Sequence, residues 1–255
     1  MGVEREEKLK KLAHWINDGG MVVFTGAGIS TESGLSDFRS PGGIWDRFNP
    51  AEFTLQRFTS SSESRRNYWK FYRENWKVSR GAKPNQAHLA LAAMEKKGKV
   101  NAIVTQNIDE LHQAAGSSPE KVLEIHGTMW KVGCLSCGHI SPWEEFYQLL
   151  EEEKEVGNCH KCGGLLKPAT VSFGQSLPAD VLNEAQYQCT QCALLLCIGS
   201  SLAVYPAARL PEIAKSAGAK LAIINREPTP LDGVADVTIR GEAGEVMSKV
   251  LALME

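Results

Sequence analysis

The segment MVVFTGAG at residues 21–28 gives the clearest indication of the fold. Its continuous apolar run predicts a strand buried on both faces, and the glycines after it predict a tight turn. Similar runs recur at residues 102–105, 194–198 and 221–225, with helix-like segments between them. Because buried strands that alternate with helices pair side by side, the sequence predicts an α/β fold built on a doubly wound parallel sheet. The polar ends of the strands should meet at one edge and form a ligand crevice.

Two stretches interrupt this alternation and predict a second, smaller domain. Residues 45–83 carry many aromatic side chains at roughly helical spacing, which favours a helical insertion that packs them into a core. Residues 129–167 contain two Cys-x-x-Cys pairs, which are typical of a small metal-binding module. We therefore expect residues 1–44, 84–128 and 168–255 to form the sheet domain and the two interrupting stretches to form the small domain.

The composition excludes several classes of protein. The chain has 255 residues, of which 43% are hydrophobic and 23% charged, so it can bury a core and is not disordered overall. Its net charge of −2 lacks the positive field of a dedicated nucleic-acid binder, so we expect no direct nucleic-acid partner. The first residues, MGVEREEKLKKL, lack the apolar core of a secretory signal, and no apolar run approaches the ~20 residues that span a bilayer. We therefore expect a cytoplasmic protein without a membrane partner.

The two Cys-x-x-Cys pairs predict a zinc site. Its ligands would be Cys134, Cys137, Cys159 and Cys162. The spacing of the pairs is close to that of zinc ribbons, and four thiolates would occupy every corner of a tetrahedron. The predicted Zn²⁺ is therefore structural, because no position is left for a catalytic water. His139 and His160 are less favoured as substitute ligands, because residues at these knuckle positions usually point outward.

Cys189 and Cys192 form a third Cys-x-x-Cys pair, for which no fourth pair is available. They lead directly into the apolar run that contains Cys197, so burial in the core or at a helix end is the favoured interpretation. A redox function for this pair remains open as the alternative.

A glycine turn and two further strand ends predict a nucleotide site. Residues 26–28 follow the first strand, where glycines allow backbone amides to approach a pyrophosphate. Thr31 replaces the third glycine of the G-x-G-x-x-G pattern, and no acidic residue ends a second strand about 20 positions later, which disfavours a hydride-transferring dehydrogenase. The Gly-Ser-Ser turn at 199–201 and Asn225 follow two other strands. Three polar strand ends fit a long ligand such as NAD better than a mononucleotide.

A series of motifs runs through essentially the whole chain. They are GAGIS at 26–30, ESGLSDFR at 32–39, TQNIDELH at 105–112, HG at 126–127, the four cysteines, VSFG at 171–174, GSSLAVYPA at 199–207 and IN at 224–225. In this order they resemble the sirtuin family of NAD-dependent protein deacylases. The resemblance implies a large Rossmann-like domain and a small domain made of a zinc module and a helical insertion. NAD and an acyl-lysine peptide would enter the cleft between them.

The resemblance also implies an enzyme and its principal residues. His126 is similar to the general base of the family, and Asn107 and Asp109 resemble the polar residues of its nicotinamide pocket. The acyl oxygen of the substrate would attack the anomeric carbon of the nicotinamide ribose as nicotinamide leaves. His126 would then activate a ribose hydroxyl that attacks the resulting imidate, and water would complete the transfer. The implied products are free lysine, nicotinamide and O-acetyl-ADP-ribose, so NAD is consumed as a co-substrate.

The same resemblance extends to residues that would bind NAD and the peptide. For NAD these are Gly26, Ala27, Gly28, Ser30, Phe38, Arg39, Gln106, Asn107, Ile108, Asp109, Gly199, Ser200, Ser201, Asn225, Arg226 and Ala243. Phe38 would shield the reactive face from water, and Arg39 would anchor a phosphate or the loop. For the peptide they are Val171, Phe173, Gly174 and Val204. An acetyl-lysine protein or peptide would add as a strand to the edge formed by residues 171–174, which predicts loose sequence specificity.

The chain departs from the family pattern at a few positions. Ser36 stands where the family usually has Pro in the ESGLSDFR motif, and Gln175 stands where it commonly has Glu after Phe173-Gly174. Members that prefer succinyl or malonyl groups carry a Tyr and, three residues later, an Arg, whereas here these positions are Tyr72 and Asn75. Without that arginine, an acidic acyl group would be buried without an ion-pair partner. We therefore predict deacetylation rather than desuccinylation, although Arg73 lies only two positions away.

Two other functions remain open from the sequence. A mono-ADP-ribosyltransferase shares the loss of nicotinamide but transfers ADP-ribose to a protein nucleophile. A catalytically inactive NAD-sensing or zinc scaffold protein is the second, and the presence of His126, Asn107 and Asp109 disfavours it.

Overall fold

The computed structural model describes residues 2–152 and 154–254. The strands are β1 (Met21–Thr25), β2 (Val100–Thr105), β3 (Val122–Glu124), β4 (Gly127–Cys134), β5 (Ile140–Pro142), β6 (Leu166–Thr170), β7 (Leu194–Ile198), β8 (Lys220–Ile224) and β9 (Val237–Ile239). The helices are α1 (Gly2–Asp18), α2 (Ile44–Arg47), α3 (Leu55–Ser60), α4 (Ser62–Gly81), α5 (Gln86–Lys96), α6 (Leu111–Ala114), α7 (Glu144–Glu151), α8 (Ala179–Gln191), α9 (Arg209–Ser216) and α10 (Ala243–Ala252). Within the two described ranges, no helix is both long and apolar enough to cross a membrane.

Six strands form one parallel sheet. Their order is β3-β2-β1-β7-β8-β9, and every neighbouring pair is parallel. All residues of β1 and of β7 are buried, as predicted for strands that are covered on both faces. The strand order reverses between β1 and β7, which is the place where doubly wound sheets bind ligands. The predicted α/β fold with a doubly wound parallel sheet is therefore confirmed.

Helices cover both faces of this sheet. On one face α1, α5 and α10 pack their apolar residues against alternate strand residues such as Met21 and Val23. On the other face α8 and α9 cover the remaining residues, which include Val22 and Phe24. This division follows from the strand geometry, because successive side chains point to opposite faces of a sheet.

A second, antiparallel sheet and α4 share a separate apolar core. The order of this sheet is β5-β4-β6. The core, here called the aromatic cluster, contains the buried residues Ile44, Phe53, Phe58, Tyr68, Trp69, Phe71, Tyr72, Trp76, Met129, Val132, Trp143 and Leu150. It therefore joins the helical insertion to the segment that carries the cysteines. Ile44 belongs to this cluster, although it lies at the end of the first range expected to form the sheet domain.

Candidate active site

The carboxyl ends of the central strands are joined by hydrogen bonds. The Gln106 N–H donates to Thr25 O at 2.9 Å, and the Gly199 N–H donates to Ile224 O at 2.9 Å. The side-chain amide of Gln106 also donates to Ser200 Oγ at 2.8 Å. The predicted polar strand ends therefore meet at one edge of the sheet, as expected.

The two glycine turns at this edge contact each other through their backbones. The Gly28 N–H donates to Gly199 O at 2.8 Å. A Cβ atom on Gly28 would lie 2.8 Å from Gly199 Cα, and a Cβ atom on Gly199 would lie 2.2 Å from Ile29 N. Gly199 also has φ +61°, a conformation that glycine adopts without a steric penalty. Thr31, at the position of the missing third glycine, donates its hydroxyl to Gly28 O at 3.0 Å.

A group of three buried polar side chains lies beside these turns. Asn107 Nδ2 donates to Ser30 Oγ at 3.1 Å, and the Ser30 hydroxyl donates to Asp109 Oδ2 at 2.7 Å. All three residues are at most 8% exposed. Burial raises the pKa of Asp109, although hydrogen bonds from the Leu111 N–H and from Ser30 oppose that rise. The three side chains bring amide, hydroxyl and carboxyl groups together in a buried setting, and such groups can hydrogen-bond a carboxamide.

A second layer of buried polar residues supports Asn107. The Asn107 N–H donates to Thr105 Oγ1 at 3.0 Å, and the Thr25 hydroxyl donates to the same oxygen at 2.8 Å. His112 Nε2 lies 3.0 Å from Thr25 Oγ1, and its ring centroid lies 5.0 Å from that of His88. Burial lowers the pKa of His88 to about 4 and that of His112 well below its usual range, so both rings are neutral. Sequence analysis assigned no role to these four supporting residues.

His126 follows β3 and presents a neutral imidazole. Its Nδ1 lies 3.1 Å from the carbonyl oxygen of Gln106, and because a carbonyl only accepts, Nδ1 carries the proton. Burial lowers the pKa of His126, and the hydrogen bond to Gln106 only partly offsets this effect. Nε2 is therefore the proton acceptor of the ring. The next residue must be glycine, since Gly127 has φ +73° and a Cβ atom there would lie 2.1 Å from Ala169 O.

The segment 171–174 is attached to the residue that carries this imidazole. The Val171 N–H donates to His126 O at 2.8 Å. The Phe173 N–H donates to Phe53 O at 3.2 Å, and Phe173 O accepts from the Leu55 N–H at 2.9 Å. Residues 53–55 therefore already occupy the backbone N–H and carbonyl groups of Phe173, and the addition of a peptide to the edge formed by residues 171–174 stays a prediction. The Phe173 ring is 42% exposed and remains available for contact.

Gln175 closes a turn behind this segment. Its Oε1 accepts from the Ser172 N–H at 3.1 Å, and its N–H donates to Ser172 O at 3.0 Å. An amide oxygen therefore performs here the acceptor function that a glutamate carboxylate could also perform.

Several of the other predicted NAD residues fall into two groups. One group lines a crevice formed by Gly28, Gly199, Ile224, Asn225, Arg226, Gly241, Glu242 and Ala243. Gly241 and Glu242 are not among the predicted residues, because they lie between β9 and α10 and belong to none of the motifs. Phe38 and Ile108 instead pack partly buried against the aromatic cluster. Arg39 is exposed on the loop before α2, outside both groups.

The four predicted metal ligands form one cluster. Their sulfur atoms all lie within 4.8 Å of one another, with Cys134 Sγ 3.5 Å from Cys162 Sγ and Cys137 Sγ 3.8 Å from Cys159 Sγ. Zinc–sulfur bonds of about 2.3 Å place the sulfurs of a tetrahedral site about 3.8 Å apart, so these residues fit Zn²⁺. His139 and His160 pack against each other, with ring centroids 5.3 Å apart, and are not part of the cluster.

The third Cys-x-x-Cys pair is buried in the sheet domain. Cys189, Cys192 and Cys197 belong to the core between the sheet and α8 and α9, and all are free thiols. Burial raises the pKa of Cys189 to about 12 and that of Cys192 to about 11. Protonated, buried thiols react slowly, so the structure supports the core interpretation over a redox function.

Comparison with known proteins identifies the family. The family model described as "Sir2 family" matches residues 26–206. The chain is 46% identical over 231 residues to "NAD-dependent protein deacylase 2" of Archaeoglobus fulgidus, and the aligned region covers 90% of this chain and 89% of that protein. It is 41% identical over 256 residues to "NAD-dependent protein deacetylase" of Thermodesulfovibrio yellowstonii, and that alignment covers 100% of this chain and 98% of that protein.

A solved Sir2 structure with deacetylated p53 peptide and 3′-O-acetyl-ADP-ribose shares 38% identity with the chain. The two superpose with a TM-score of 0.88 over 96% of this chain and 97% of that one. The similarity in sequence and in structure thus extends over nearly the whole length of both proteins. The chain belongs to the Sir2 family.

Proposed function

We propose that the protein is an NAD-dependent protein-lysine deacetylase that transfers the acetyl group to ADP-ribose and releases nicotinamide. The observation that carries this proposal is the position of His126 beside the buried Ser30, Asn107 and Asp109. The carbonyl oxygen of Gln106 holds the imidazole, and Asn107 is the next residue along the chain. A proton acceptor and a carboxamide pocket therefore adjoin each other at the edge of the sheet where NAD binds in this fold.

In this proposal each group has one task. Asn107 and Asp109 hold nicotinamide, while the glycine turns and the crevice beside Asn225 hold the phosphates and the adenosine end of NAD. His126 takes the proton from a ribose hydroxyl after nicotinamide has left. Phe38 excludes water from the reactive face. The four cysteines would hold Zn²⁺, which stabilises the small domain and takes no part in the reaction.

Product analysis tests this proposal against both alternatives. Incubation with an acetyl-lysine peptide and NAD should yield nicotinamide, deacetylated peptide and O-acetyl-ADP-ribose in equal amounts, measured by chromatography and mass spectrometry. Protein that carries ADP-ribose would instead support a mono-ADP-ribosyltransferase. Formation of neither product would support a non-catalytic NAD-sensing scaffold.

The acyl preference follows from the contacts of α4. Asn75 Nδ2 donates to Phe71 O at 2.8 Å, within the same helix, and the Tyr72 hydroxyl lies 2.7 Å from Thr170 Oγ1. Arg73 donates instead to Leu150 O at 2.9 Å and lines a cavity of about 660 Å³ between α4 and residues 150–158. The guanidinium of Arg73 therefore lies on the side of α4 that faces α7, not on the side of Tyr72.

Lys167 is the buried cation near Tyr72, and its three N–H groups are already directed to Tyr68 Oη and to the carbonyl oxygens of Pro168 and Thr170. We expect the acetyl-lysine peptide to be a better substrate than its succinyl counterpart by at least about tenfold in kcat/KM, because burying a carboxylate without an available cation is costly. Asn75→Arg should raise kcat/KM for the succinyl peptide, since it supplies a cation that is not already engaged. The Asn75→Gln variant, which adds length without charge, is the matched control. Faster turnover of the succinyl peptide by the unmodified protein would refute this preference.

The acid limb of the pH profile reports the protonation of His126. Because burial lowers the pKa of His126 from its usual value of 6.5, the midpoint of the acid limb of kcat/KM should lie below pH 6.5. At lower pH the imidazole takes up a proton, and kcat/KM should then fall by about tenfold per pH unit. Measurement between about pH 5 and 8 locates this limb.

Glu124 is the necessary control for this profile. It lies two residues before His126, and burial together with the charge of Glu110 raises its pKa to about 7. In Glu124→Gln the low-pH limb should persist unchanged. A limb centred at or above pH 6.5, or one that disappears in Glu124→Gln, would show that His126 is not the titrating group.

The proposal also includes location and domain division. A cytoplasmic protein keeps its cysteines reduced, and all seven are free thiols here. Residues 1–44, 84–128 and 168–255 would form the NAD-binding domain, with 45–83 and 129–167 forming the small domain. The peptide would lie in the cleft between them, near Val171, Phe173, Gly174 and Val204.

A further inference from the structure

The loop at residues 35–43, here called the cofactor loop, is organised by one carboxylate. Asp37 Oδ1 accepts from the N–H groups of Arg39 at 3.0 Å and Ser40 at 2.8 Å. Asp37 Oδ2 accepts from the Ser40 hydroxyl at 2.6 Å. These bonds fix the turn that carries Phe38, which the proposed function places over the reactive face of NAD.

The same carboxylate is bound from the other side of the crevice. Arg226, which follows β8, donates from Nη2 to Asp37 Oδ2 at 3.2 Å and to Ser40 Oγ at 3.3 Å. Its Nη1 lies 3.5 Å from Glu242 Oε1, in the residue before α10. Asp37 is the more buried partner, since its side chain is 14% exposed against 40% for Arg226. The guanidinium therefore connects the cofactor loop to two segments that line the crevice.

The electrostatics of Asp37 agree with this arrangement. Burial alone raises the pKa of Asp37, but the hydrogen bonds from Ser40 and Arg39 and the charge of Arg226 outweigh it and lower the pKa below its usual value. Asp37 is therefore ionised at neutral pH. A charged acceptor strengthens a hydrogen bond to a guanidinium.

We infer that Arg226 is a positioning residue whose ion pair with Asp37 holds the cofactor loop across the NAD crevice. Arg226 is also predicted to contact NAD and lines the crevice, but its guanidinium is directed to the loop, with Glu242 orienting it. The inference rests on the proposed function, since it is the binding of NAD that the loop would assist.

A double-mutant cycle isolates the contact between the two side chains. Asp37→Asn keeps Oδ1 for the two backbone N–H groups and replaces Oδ2, the oxygen that Arg226 binds. Arg226→Gln removes the other partner. Since exposed ion pairs are weak individually, each variant should raise the Kd of NAD by about fivefold, and the double variant should show the same increase rather than its square. Titration calorimetry with NAD measures all four proteins.

Two further variants complete the set. Arg226→Lys retains the charge and should recover part of the affinity, although a single ammonium cannot span Asp37 and Glu242 as the guanidinium does. Lys215→Gln is the matched control, because Lys215 is about as exposed as Arg226 and also forms an ion pair. Its Nζ lies 2.6 Å from Asp236 Oδ2, and that carboxylate accepts from the Leu221 N–H at the opposite end of β8. The Kd of Lys215→Gln for NAD should equal that of the unmodified protein.

Hydrogen exchange of the loop distinguishes a positioning role from a direct contact with NAD. Without NAD, the Ser40, Gly43 and Ile44 amides should exchange faster in Arg226→Gln and in Asp37→Asn than in the unmodified protein. Additive effects on Kd, an unchanged Kd in Asp37→Asn, or unchanged loop exchange would overturn the inference. If the unmodified protein binds no NAD, the proposed function fails, while the exchange comparison still decides whether Arg226 holds the loop.

Discussion

His126→Ala should lower kcat for deacetylation by about a thousandfold, which lies within the usual contribution of a positioned general base. The expected cause is the loss of Nε2, the acceptor of the imidazole whose Nδ1–H donates to Gln106 O. Affinity for NAD should change little, because the carboxamide pocket is formed by Ser30, Asn107 and Asp109. Steady-state kinetics with the acetyl-lysine peptide, together with titration of NAD, separate the two quantities.

The order of steps sharpens this test. The base is needed only after nicotinamide has left, so exchange of labelled nicotinamide into NAD should fall much less than formation of O-acetyl-ADP-ribose in His126→Ala. His14→Ala, which removes an exposed histidine on α1, is the matched control and should retain full activity. Full deacetylation by His126→Ala, or an equal loss of exchange and product formation, would remove the assigned role of His126.

Cys134→Ala should abolish metal binding and with it the folding of the small domain. Cys134 ends β4, the central strand of the antiparallel sheet, and pairs in register with Leu166 of β6. Structural zinc contributes about 10–16 kcal/mol of binding free energy in zinc-finger peptides, far more than a single packing contact. Since β4 and α4 share the aromatic cluster, we expect loss of the metal to destabilise both small-domain segments.

Three measurements test this expectation together. Metal analysis should find one zinc ion per chain in the unmodified protein and none in Cys134→Ala. The cooperative thermal unfolding transition and the deacetylase activity should be lost in parallel in that variant. Cys192→Ala is the matched control, because it breaks a Cys-x-x-Cys pair outside the metal cluster and should keep the zinc and the activity. A metal-free protein that is fully folded and fully active would contradict a structural site.

The sheet and the metal ligands could be predicted because their signals are local. Strands buried on both faces appear as continuous apolar runs, and this is true of β1, β7 and β8. The four cysteine ligands come in pairs whose spacing reflects the geometry of the site itself. In both cases the residues that define the feature are close together in the sequence.

The supporting residues of the site could not be found in the same way. His112 contacts Thr25, and His88 contacts His112, only when α5 and α6 pack on the sheet, and the polar character of the two histidines carries no periodic signal. Thr105 and His112 do lie within the motif at 105–112, and this is the indication of their role that the sequence offers. The ion pair of Asp37 with Arg226 joins residues 189 positions apart and has no local signature.

The peptide edge shows a different limitation. A strand pattern indicates that residues 171–174 are extended, but it does not indicate which backbone groups are already paired. Phe173 pairs with residues 53–55, a contact between two segments that are distant in sequence. The sequence therefore predicts a peptide-binding segment without showing which of its backbone groups are free to pair with a peptide.

The backbone contact between Gly28 and Gly199 limits how this protein can evolve. Any larger residue at either position would have to separate β1 from β7, which are the two central strands of the sheet. A substitution at either glycine would therefore impair folding, whatever its effect on ligand preference. Variation in ligand recognition is instead expected on the side of the crevice formed by Asn225 and Ala243, which does not lie between these two strands.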